Sequence, residues 1–300
     1  MSITFGPINS RRFGKSLGVD LSPNKKQCNF DCLYCELEPT KTISSYSDII
    51  EVDNIITAIK EALKTHKDID FITLTANGEP TLYPKLNELI EKLNSIKGDI
   101  KSLILSNGST ILNPDIQDAL SKLDVVKLSL DCATIECFKK LDRVDNSVSL
   151  EAIKKGMLEF TKLYNGTLQI EILFVKGVND KPKEIEELNS FLLQLKPDII
   201  DLSTIDRPPA FNVKPLSYSE LYEISLLFDA SLNINIATKN RDIKSLYNYS
   251  KDEIIATLSM RPLREDDIEV LFTKESKQSL QELLNSSKIK LDNGFYRVVK

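Results

Sequence analysis

Residues 71–106, FITLTANGEPTLYPKLNELIEKLNSIKGDIKSLILS, contain one complete strand–helix–strand unit. Short apolar runs at its two ends, Phe71–Thr75 and Ser102–Ser106, have the length and character of buried strands. Between them, apolar residues recur at the spacing of one helical face, at Leu86, Leu89, Ile90 and Leu93. A strand, a helix and a second strand in this order are typical of a βαβ unit in a parallel sheet.

The same alternation extends over most of the chain. Further strand-like segments are Gly18–Leu21, Val125–Leu130, Leu168–Val175, Ile199–Ser203 and Leu232–Ala237. Amphipathic stretches separate them, and Asn113-Pro114 has the composition of a helix start. Six strand–helix units with a seventh strand predict an α/β fold, a partial (β/α)6 TIM-like barrel over residues 1–240. An open doubly wound sheet has the same periodicity and stays open as an alternative.

Two strands carry polar residues on one face. Lys127, Ser129 and Asp131 alternate with apolar residues, and Gln169 and Glu171 do the same on the next strand. Parallel strands covered on both faces are usually continuous apolar runs. The pattern therefore predicts that one face meets a polar ligand, as inside a barrel, or that it belongs to a solvated edge strand.

The last part of the chain, residues 245–300, has a different organisation. Three short amphipathic segments precede a hairpin pattern at Ile289–Val299, with Asn293-Gly294 as its tight turn. Three helices and a hairpin predict a winged-helix-like module. This module has 9 basic and 9 acidic residues and is therefore neutral. Neutrality favours contact with substrate or protein over binding to DNA. A cap that only shields the barrel is the alternative.

Composition limits the function classes. The chain has 300 residues, a net charge of −5 and no apolar run long enough to cross a membrane. Its N-terminus lacks the features of a signal peptide, and five cysteines fit a reducing cytoplasm. The net negative charge argues against strong, sequence-independent binding to nucleic acid. A local cluster of basic residues is still present, and it either binds a phosphate-bearing substrate or is simply solvated. It consists of Arg11, Arg12, Lys15, Lys25 and Lys26.

Three cysteines lie in one short segment, Gln27–Glu36, as C-x3-C-x2-C. Three thiolates at Cys28, Cys32 and Cys35 can hold three irons of a 4Fe–4S cluster and leave the fourth iron open for a ligand. Zinc is the alternative, but zinc sites favour two C-x2-C pairs or cysteine–histidine mixtures. The single histidine, His66, lies in a polar helix end and is expected to be solvated.

This motif, with Tyr34 as the aromatic residue before the last cysteine, resembles that of the radical SAM enzymes. The segments Gly6–Leu21, Asn77–Thr81 and Asp206–Ala210 are similar to those of Fe–S oxidoreductases grouped with tRNA wyosine synthases. The resemblance implies that S-adenosylmethionine chelates the open iron, and that the Asn77–Thr81 motif holds its methionine amino group with Glu79 as the charged partner. Wyosine synthases carry a second cluster whose cysteines this chain lacks.

Strand ends supply further candidates for cofactor binding. Gly78 and Glu79 follow one strand, and Asn107, Ser129 and Asp131 end the next two, at the edge where barrel sites lie. A glycine at position 78 lets a ligand approach the backbone closely. Each candidate also has a plain structural role, as a turn or a helix cap. Cys132 and Cys137 are too few for a second cluster and are expected to be buried free thiols.

The leading hypothesis is a radical SAM enzyme that forms a 5′-deoxyadenosyl radical and removes hydrogen from a substrate. Its electron donor would be a protein such as flavodoxin or ferredoxin. The substrate candidates are an RNA base such as one in tRNA, a peptide, a protein or a small metabolite. The alternative is a redox sensor that signals through the C-terminal module.

Overall fold

An eight-stranded sheet with its strands in chain order is the centre of the fold. The computed structural model describes residues 2–10, 13–236, 248–260, 262–265, 268–269, 272–292 and 294–299. The strands of the sheet are β1 (Thr4–Ser10), β2 (Gly14–Asp20), β3 (Phe71–Thr75), β4 (Lys101–Ser106), β5 (Val125–Ser129), β6 (Thr167–Phe174), β7 (Ile199–Thr204) and β8 (Ile234–Ile236). All neighbours from β2 to β8 are parallel, and β1 pairs antiparallel with β2.

The strand order distinguishes a barrel from a doubly wound sheet. A doubly wound sheet reverses its order at one point, whereas here each parallel strand pairs with the next in the chain. Right-handed crossovers that all run in one direction place every helix on the same face, and the sheet curls around the other. Among the described residues β1 and β8 do not pair, so the barrel is partial, as the sequence predicts.

Seven helices cover the convex face within residues 13–236. They are α1 (Val52–Thr65), α2 (Leu86–Ile96), α3 (Pro114–Ser121), α4 (Ile135–Leu141), α5 (Leu150–Phe160), α6 (Pro182–Leu195) and α7 (Tyr218–Ser225). The predicted start of α3 is confirmed, since the Asn113 side chain accepts from the Asp115 amide at 3.0 Å. Ile59 and Leu89 are fully buried with the outward residues of the strands. Burying each such side chain stabilises the folded state by about 1.5–3 kcal/mol.

The concave face of the sheet is polar, as two of its strands predict. Lys127 is buried and its Nζ lies 2.9 Å from Oδ2 of Asp201 on β7. Because β5 is hydrogen-bonded to β4 on one side and β6 on the other, the solvated-edge explanation is wrong. The apolar floor of this face consists of Phe13, Phe71, Leu103 and Val125.

The first strand is absent from the sequence-based prediction. Gly6 and Pro7 interrupt its apolar run, and proline lacks the amide that a central strand needs. At the edge of a sheet this is tolerated, and the pairing with β2 shifts register between Phe5 and Ile8. The Phe5 ring covers Gly18 so closely that a Cβ there would overlap it.

The C-terminal part has a hydrophobic core of its own. It contains α8 (Lys251–Met260), β9 (Leu263–Arg264), α9 (Lys274–Asn285), β10 (Ile289–Asp292) and β11 (Phe295–Val298). The core residues are Tyr249, Ile254, Leu258, Leu263, Ile268, Phe272, Leu280, Leu283 and Ile289. The predicted hairpin is present, with Asp292 paired to Phe295. The winged-helix comparison and the boundary between residues 240 and 245 stay predictions. That boundary, Asn293 of the predicted turn, and Asp266 and Leu271 of the second predicted amphipathic segment lie outside the described residues.

This C-terminal part docks on the edge of the sheet. The Tyr249 hydroxyl donates to the Pro7 carbonyl on β1. His66 Nε2 lies 2.8 Å from Glu253 Oε1, so the prediction that His66 is solvated is wrong. Since His66 ends α1 and precedes β3, the contact lies towards the amino ends of the strands, away from the edge that carries the candidate site.

Replacing Leu283 by Ala tests whether this core unfolds separately. Leu283 is 2 % exposed, so the cavity should destabilise the C-terminal part by about 2–5 kcal/mol. Calorimetry should show the C-terminal part unfolding at a lower temperature, while the transition of the main sheet is unchanged. Leu291→Ala, at a side chain that is 54 % exposed, is the matched control and should change stability by less than about 0.5 kcal/mol. A single transition that shifts as a whole would contradict a separate core.

Candidate metal centre and cofactor pocket

The three cysteines of the motif lie on the loop between β2 and α1, and their thiols are free. Burial raises the pKa of Cys28 to about 12, and the charge of Glu79 adds to this rise. Burial also raises the pKa values of Cys32 and Cys35, and the thiols of this set raise the pKa of Cys32 further. Three thiolates so placed need a cation to offset their charge. The donor set therefore fits an iron–sulfur cluster held by three cysteines.

Backbone hydrogen bonds fix the start of this loop against the turn that follows β3. The Gln27 amide donates to the Asn77 carbonyl at 2.8 Å, and the Glu79 amide donates to the Gln27 carbonyl at 3.0 Å. The buried Gln27 side chain accepts from the amides of Ser47 and Asp48 at 2.8 and 3.0 Å. Nothing in the local sequence singles out Gln27, because a single glutamine beside a cysteine carries no local signal.

The other side of the loop is held by the end of α4. The Asp31 amide donates to the Asp142 carbonyl at 3.1 Å, and the Leu33 amide donates to the Leu141 carbonyl at 2.9 Å. Burial raises the pKa of the Asp142 carboxyl well above its usual range, and the charge of Asp131 raises it further. Asp142 is a second residue that local sequence does not single out. The loop is thus anchored at both ends independently of any ligand.

Gly78 has a different neighbour from the one expected. Its φ is +141°, and a Cβ at this position would overlap the carbonyl carbon and oxygen of Gln27. The close approach that glycine permits is therefore that of the Gln27 backbone, which forms a parallel bridge with Gly78. In this structure Gly78 therefore helps to hold the loop that carries the cysteines.

Glu79 is buried and surrounded by donors. Its carboxylate accepts from the Thr81 hydroxyl and amide at 2.6 and 2.9 Å, the Ser106 hydroxyl at 2.7 Å and the Asn107 amide at 2.6 Å. Burial raises the pKa of Glu79, and these hydrogen bonds oppose the rise. The carboxylate thereby joins the turn after β3 to the end of β4 and fixes the position of Asn107.

Four of the six predicted cofactor-binding residues line one pocket. Tyr34, Asn107, Ser129 and Asp131 meet there at the carboxyl ends of β4 and β5, whereas Gly78 and Glu79 are not among its lining residues. The other lining residues are Phe30, Leu130, Cys132, Phe138, Asp142, Leu150 and Ile153. The lining therefore combines apolar walls with a few polar groups at the edge of the sheet next to the cysteine loop.

Asp131 links the cysteine loop to the sheet. Its carboxylate accepts from the Tyr34 hydroxyl and, at 2.6 Å, from the Leu173 amide on β6. Burial raises the pKa of Asp131 to about 7 and raises that of Tyr34 as well. Asn107 makes a second link, since its Nδ2 donates to Asn29 Oδ1 at 2.9 Å. These bonds hold the pocket against the loop that carries the thiols.

Cys132 and Cys137 form a disulfide. The prediction that both are buried is confirmed, but the prediction that they are free is wrong. Cys132 follows the end of β5 and Cys137 lies in the first turn of α4, so their Cα atoms come within 5.6 Å. This distance suits a disulfide, and the spacing in the sequence alone does not reveal it.

Basic side chains near the loop pair with its own carboxylates. Lys26 Nζ lies 3.1 Å from Asp31 Oδ1, Arg143 Nη2 lies 3.3 Å from Asp31 Oδ2, and Arg207 pairs with Glu36. Each of these three cations is thus paired with a carboxylate of the loop, although Lys26 and Arg143 share Asp31. Of the other basic residues singled out in the sequence, Arg11 and Arg12 lie outside the described residues, Lys15 lies 3.5 Å from Asp68, and Lys25 donates to Ser47.

Comparison with known proteins identifies the family to which the chain is similar. Residues 26–191 match the family model described as the radical SAM superfamily. The chain is 43 % identical to a UPF0026 protein of Helicobacter pylori over 96 % of this chain and 93 % of that protein. It is 30 % identical to a UPF0026 protein of Methanocaldococcus jannaschii over 96 % of this chain and 92 % of that protein.

A solved structure shares the fold. The structure of Streptococcus suis SuiB bound to precursor peptide SuiA has a TM-score of 0.58 and 18 % identity, over 74 % of this chain. The chain spans about half of that protein, 48 %. At this identity the likeness concerns the fold.

Proposed function

This chain belongs to the radical SAM superfamily and is a radical SAM enzyme, and we propose that Cys28, Cys32 and Cys35 hold three irons of its 4Fe–4S cluster. The observation that carries this proposal is the group of three half-buried free thiols on one anchored loop beside the pocket. A reducing compartment such as the cytoplasm would keep these thiols available for iron.

When bound, the cluster and S-adenosylmethionine supply one-electron cleavage to methionine and a 5′-deoxyadenosyl radical that takes hydrogen from a substrate. The protein residues orient the reactants and exclude water. We assign the polar contacts to the cofactor to Tyr34, Asn107, Ser129 and Asp131, because they line the pocket next to the loop. Gly78 and Glu79 act through their hold on Gln27 and Asn107. A protein such as flavodoxin or ferredoxin would supply the electron.

The test is anaerobic reconstitution with iron and sulfide, followed by reduction and addition of S-adenosylmethionine. We expect 5′-deoxyadenosine and methionine to form, slowly without substrate. A cluster that assembles and changes its redox state but yields no 5′-deoxyadenosine would instead favour the redox sensor and would count against this proposal.

Asp131→Asn tests the pocket separately from the cluster. The change keeps the size of the side chain but removes the carboxylate that accepts from Tyr34 and Leu173. We expect about a tenfold loss in affinity for S-adenosylmethionine, measured by titration of the EPR signal, with iron content unchanged. Asp99→Asn, at an exposed carboxylate, is the control. Equal affinity of Asp131→Asn and the parent would remove Asp131 from the cofactor contacts.

A further inference from the structure

We propose that the loop after β7 forms a clasp on the cysteine loop, and that Arg207 is its positioning residue, acting on Cys35 through Glu36. The clasp consists of residues 206–211. The sequence singles out residues 206–210, DRPPA, yet none of them lines the pocket or supplies a thiol. The inference rests on the proposed function, which makes Cys35 an iron ligand. Its evidence is a backbone hydrogen bond, an ion pair and a contact between a guanidinium and an aromatic ring.

The base of the clasp is fixed at the carboxyl end of β7. The Thr204 hydroxyl donates to the Phe174 carbonyl on β6 at 2.8 Å and accepts from the Leu216 amide at 2.8 Å. One side chain thus holds both ends of the loop of residues 205–215 together. The loop leaves the sheet at the edge where barrel sites lie, so its tip can reach the cysteine loop.

The tip of the clasp contacts the last cysteine of the motif. The Ala210 amide donates to the Cys35 carbonyl at 2.9 Å, and the Cys35 amide donates to the Cys32 carbonyl at 3.1 Å. Both backbone polar groups of Cys35 are therefore paired. Pro208 and Pro209 precede Ala210, and their rings restrict φ, so little conformational entropy is lost when the tip takes up this position.

An ion pair lies beside the same cysteine. The Arg207 guanidinium donates from Nη1 to Oε1 of Glu36. The second oxygen of this carboxylate, Oε2, is buried and has no hydrogen-bond partner within the described part of the chain. Among the described residues, Arg207 is thus the partner that offsets the desolvation of Glu36. Without it, the Glu36 side chain should turn towards water and displace the backbone next to Cys35.

A third contact extends the clasp to the middle of the cysteine loop. Arg143 follows α4 with a φ of +49°, in the left-handed region that residues other than glycine rarely adopt. Its Cζ lies 4.6 Å from the ring centre of Phe211, and its Nη2 lies 3.3 Å from Asp31 Oδ2. Such a conformation persists when the surroundings hold it. Here a ring of the clasp and a carboxylate of the cysteine loop both contact the guanidinium.

Arg207→Met tests the positioning role, because it keeps the length of the side chain and removes its charge and donors. In the anaerobically reconstituted protein we expect iron to pass to ferrozine about tenfold faster than in the parent, since indirect contacts of metal ligands have effects of this size. Arg207→Lys keeps a cation and should release iron more slowly than Arg207→Met. Lys176→Gln is the matched control. It breaks an exposed pair with Glu220, 2.6 Å apart, and should release iron at the parental rate.

A double-mutant cycle tests whether Arg207 acts through Glu36. Glu36→Ala should also accelerate iron release about tenfold. Since both changes break the same contact, the double variant with Arg207→Met should be no faster than either single variant. Independent roles would instead multiply to about 100-fold. That result, or release from Arg207→Met at the parental rate, would overturn the proposal.

Hydrogen exchange of the cluster-free protein tests the clasp without iron. Prolines have no amide, so exchange over residues 207–211 reports only positions 207, 210 and 211. In Arg207→Met the Ala210 amide should exchange at least about tenfold faster, as its local opening becomes easier, while the amides of β5 are unchanged and show that the barrel is folded. Parental exchange at Ala210 would overturn the clasp. A parent chain that assembles no cluster would contradict the proposed function instead, so the two failures are distinguishable.

Discussion

Replacing Cys28, Cys32 or Cys35 by Ala is expected to abolish the cluster, with iron falling from about four atoms per chain to less than one. Each thiol is one of three protein ligands on a loop that offers no spare cysteine. Cleavage of S-adenosylmethionine should fall by at least about 100-fold, since even indirect ligand contacts are worth 10–100-fold. Iron analysis and the 5′-deoxyadenosine assay measure the two effects.

The matched control is Cys132→Ala together with Cys137→Ala. This pair carries the remaining two of the five cysteines and forms the disulfide. The double variant should retain iron and the characteristic absorption of the cluster. Four irons retained in a Cys28, Cys32 and Cys35 triple variant would contradict the assignment of the metal centre.

Gly78→Ala is expected to destabilise the protein by about 3 kcal/mol and to lower its iron content. The methyl group would overlap the Gln27 carbonyl at a φ of +141°. Relief requires the strand-like pairing of residues 27 and 77–79 to open, and that pairing positions the first cysteine. Thermal unfolding should show the loss of stability, and iron analysis after reconstitution should show the displaced loop.

Gly177→Ala separates steric overlap from backbone strain. Gly177 also has a positive φ, +75°, but nothing lies within 4 Å of the position that a Cβ would take. Its replacement should cost about 1 kcal/mol and leave iron binding intact. If the two variants lose similar stability, the contact between Gly78 and Gln27 does not hold the loop.

Local sequence is sufficient for the elements whose signals lie within a few residues. The period of apolar residues at Leu86, Leu89 and Leu93 appears as the buried face of α2. The alternation at Lys127, Ser129 and Asp131 appears as the concave face of β5, because successive side chains of a strand point to opposite sides. The spacing of the three cysteines sets the number of thiols that one loop can present.

Local sequence patterns do not predict contacts between segments that are distant in the chain. The Gln27 backbone meets Gly78, and the Tyr34 hydroxyl meets Asp131 across 97 positions in the chain. The disulfide depends on the angle at which α4 leaves β5, although its cysteines are near in sequence. The edge strand β1 and the docking of His66 on Glu253 depend on partners from elsewhere in the chain.

The sequence by itself determined the α/β alternation, the cysteine motif and the candidate residues at the strand ends, because periodicity and spacing are local properties of the chain. Only the tertiary structure decided that Asn107, Ser129 and Asp131 share a pocket with Tyr34, and that the Glu79 carboxylate binds the Asn107 amide. It also decided that Lys127, Glu171 and Asp201 meet as one charged group. The physical reason is strand register, which fixes which side chains of separate strands lie at the same height and which no single segment encodes.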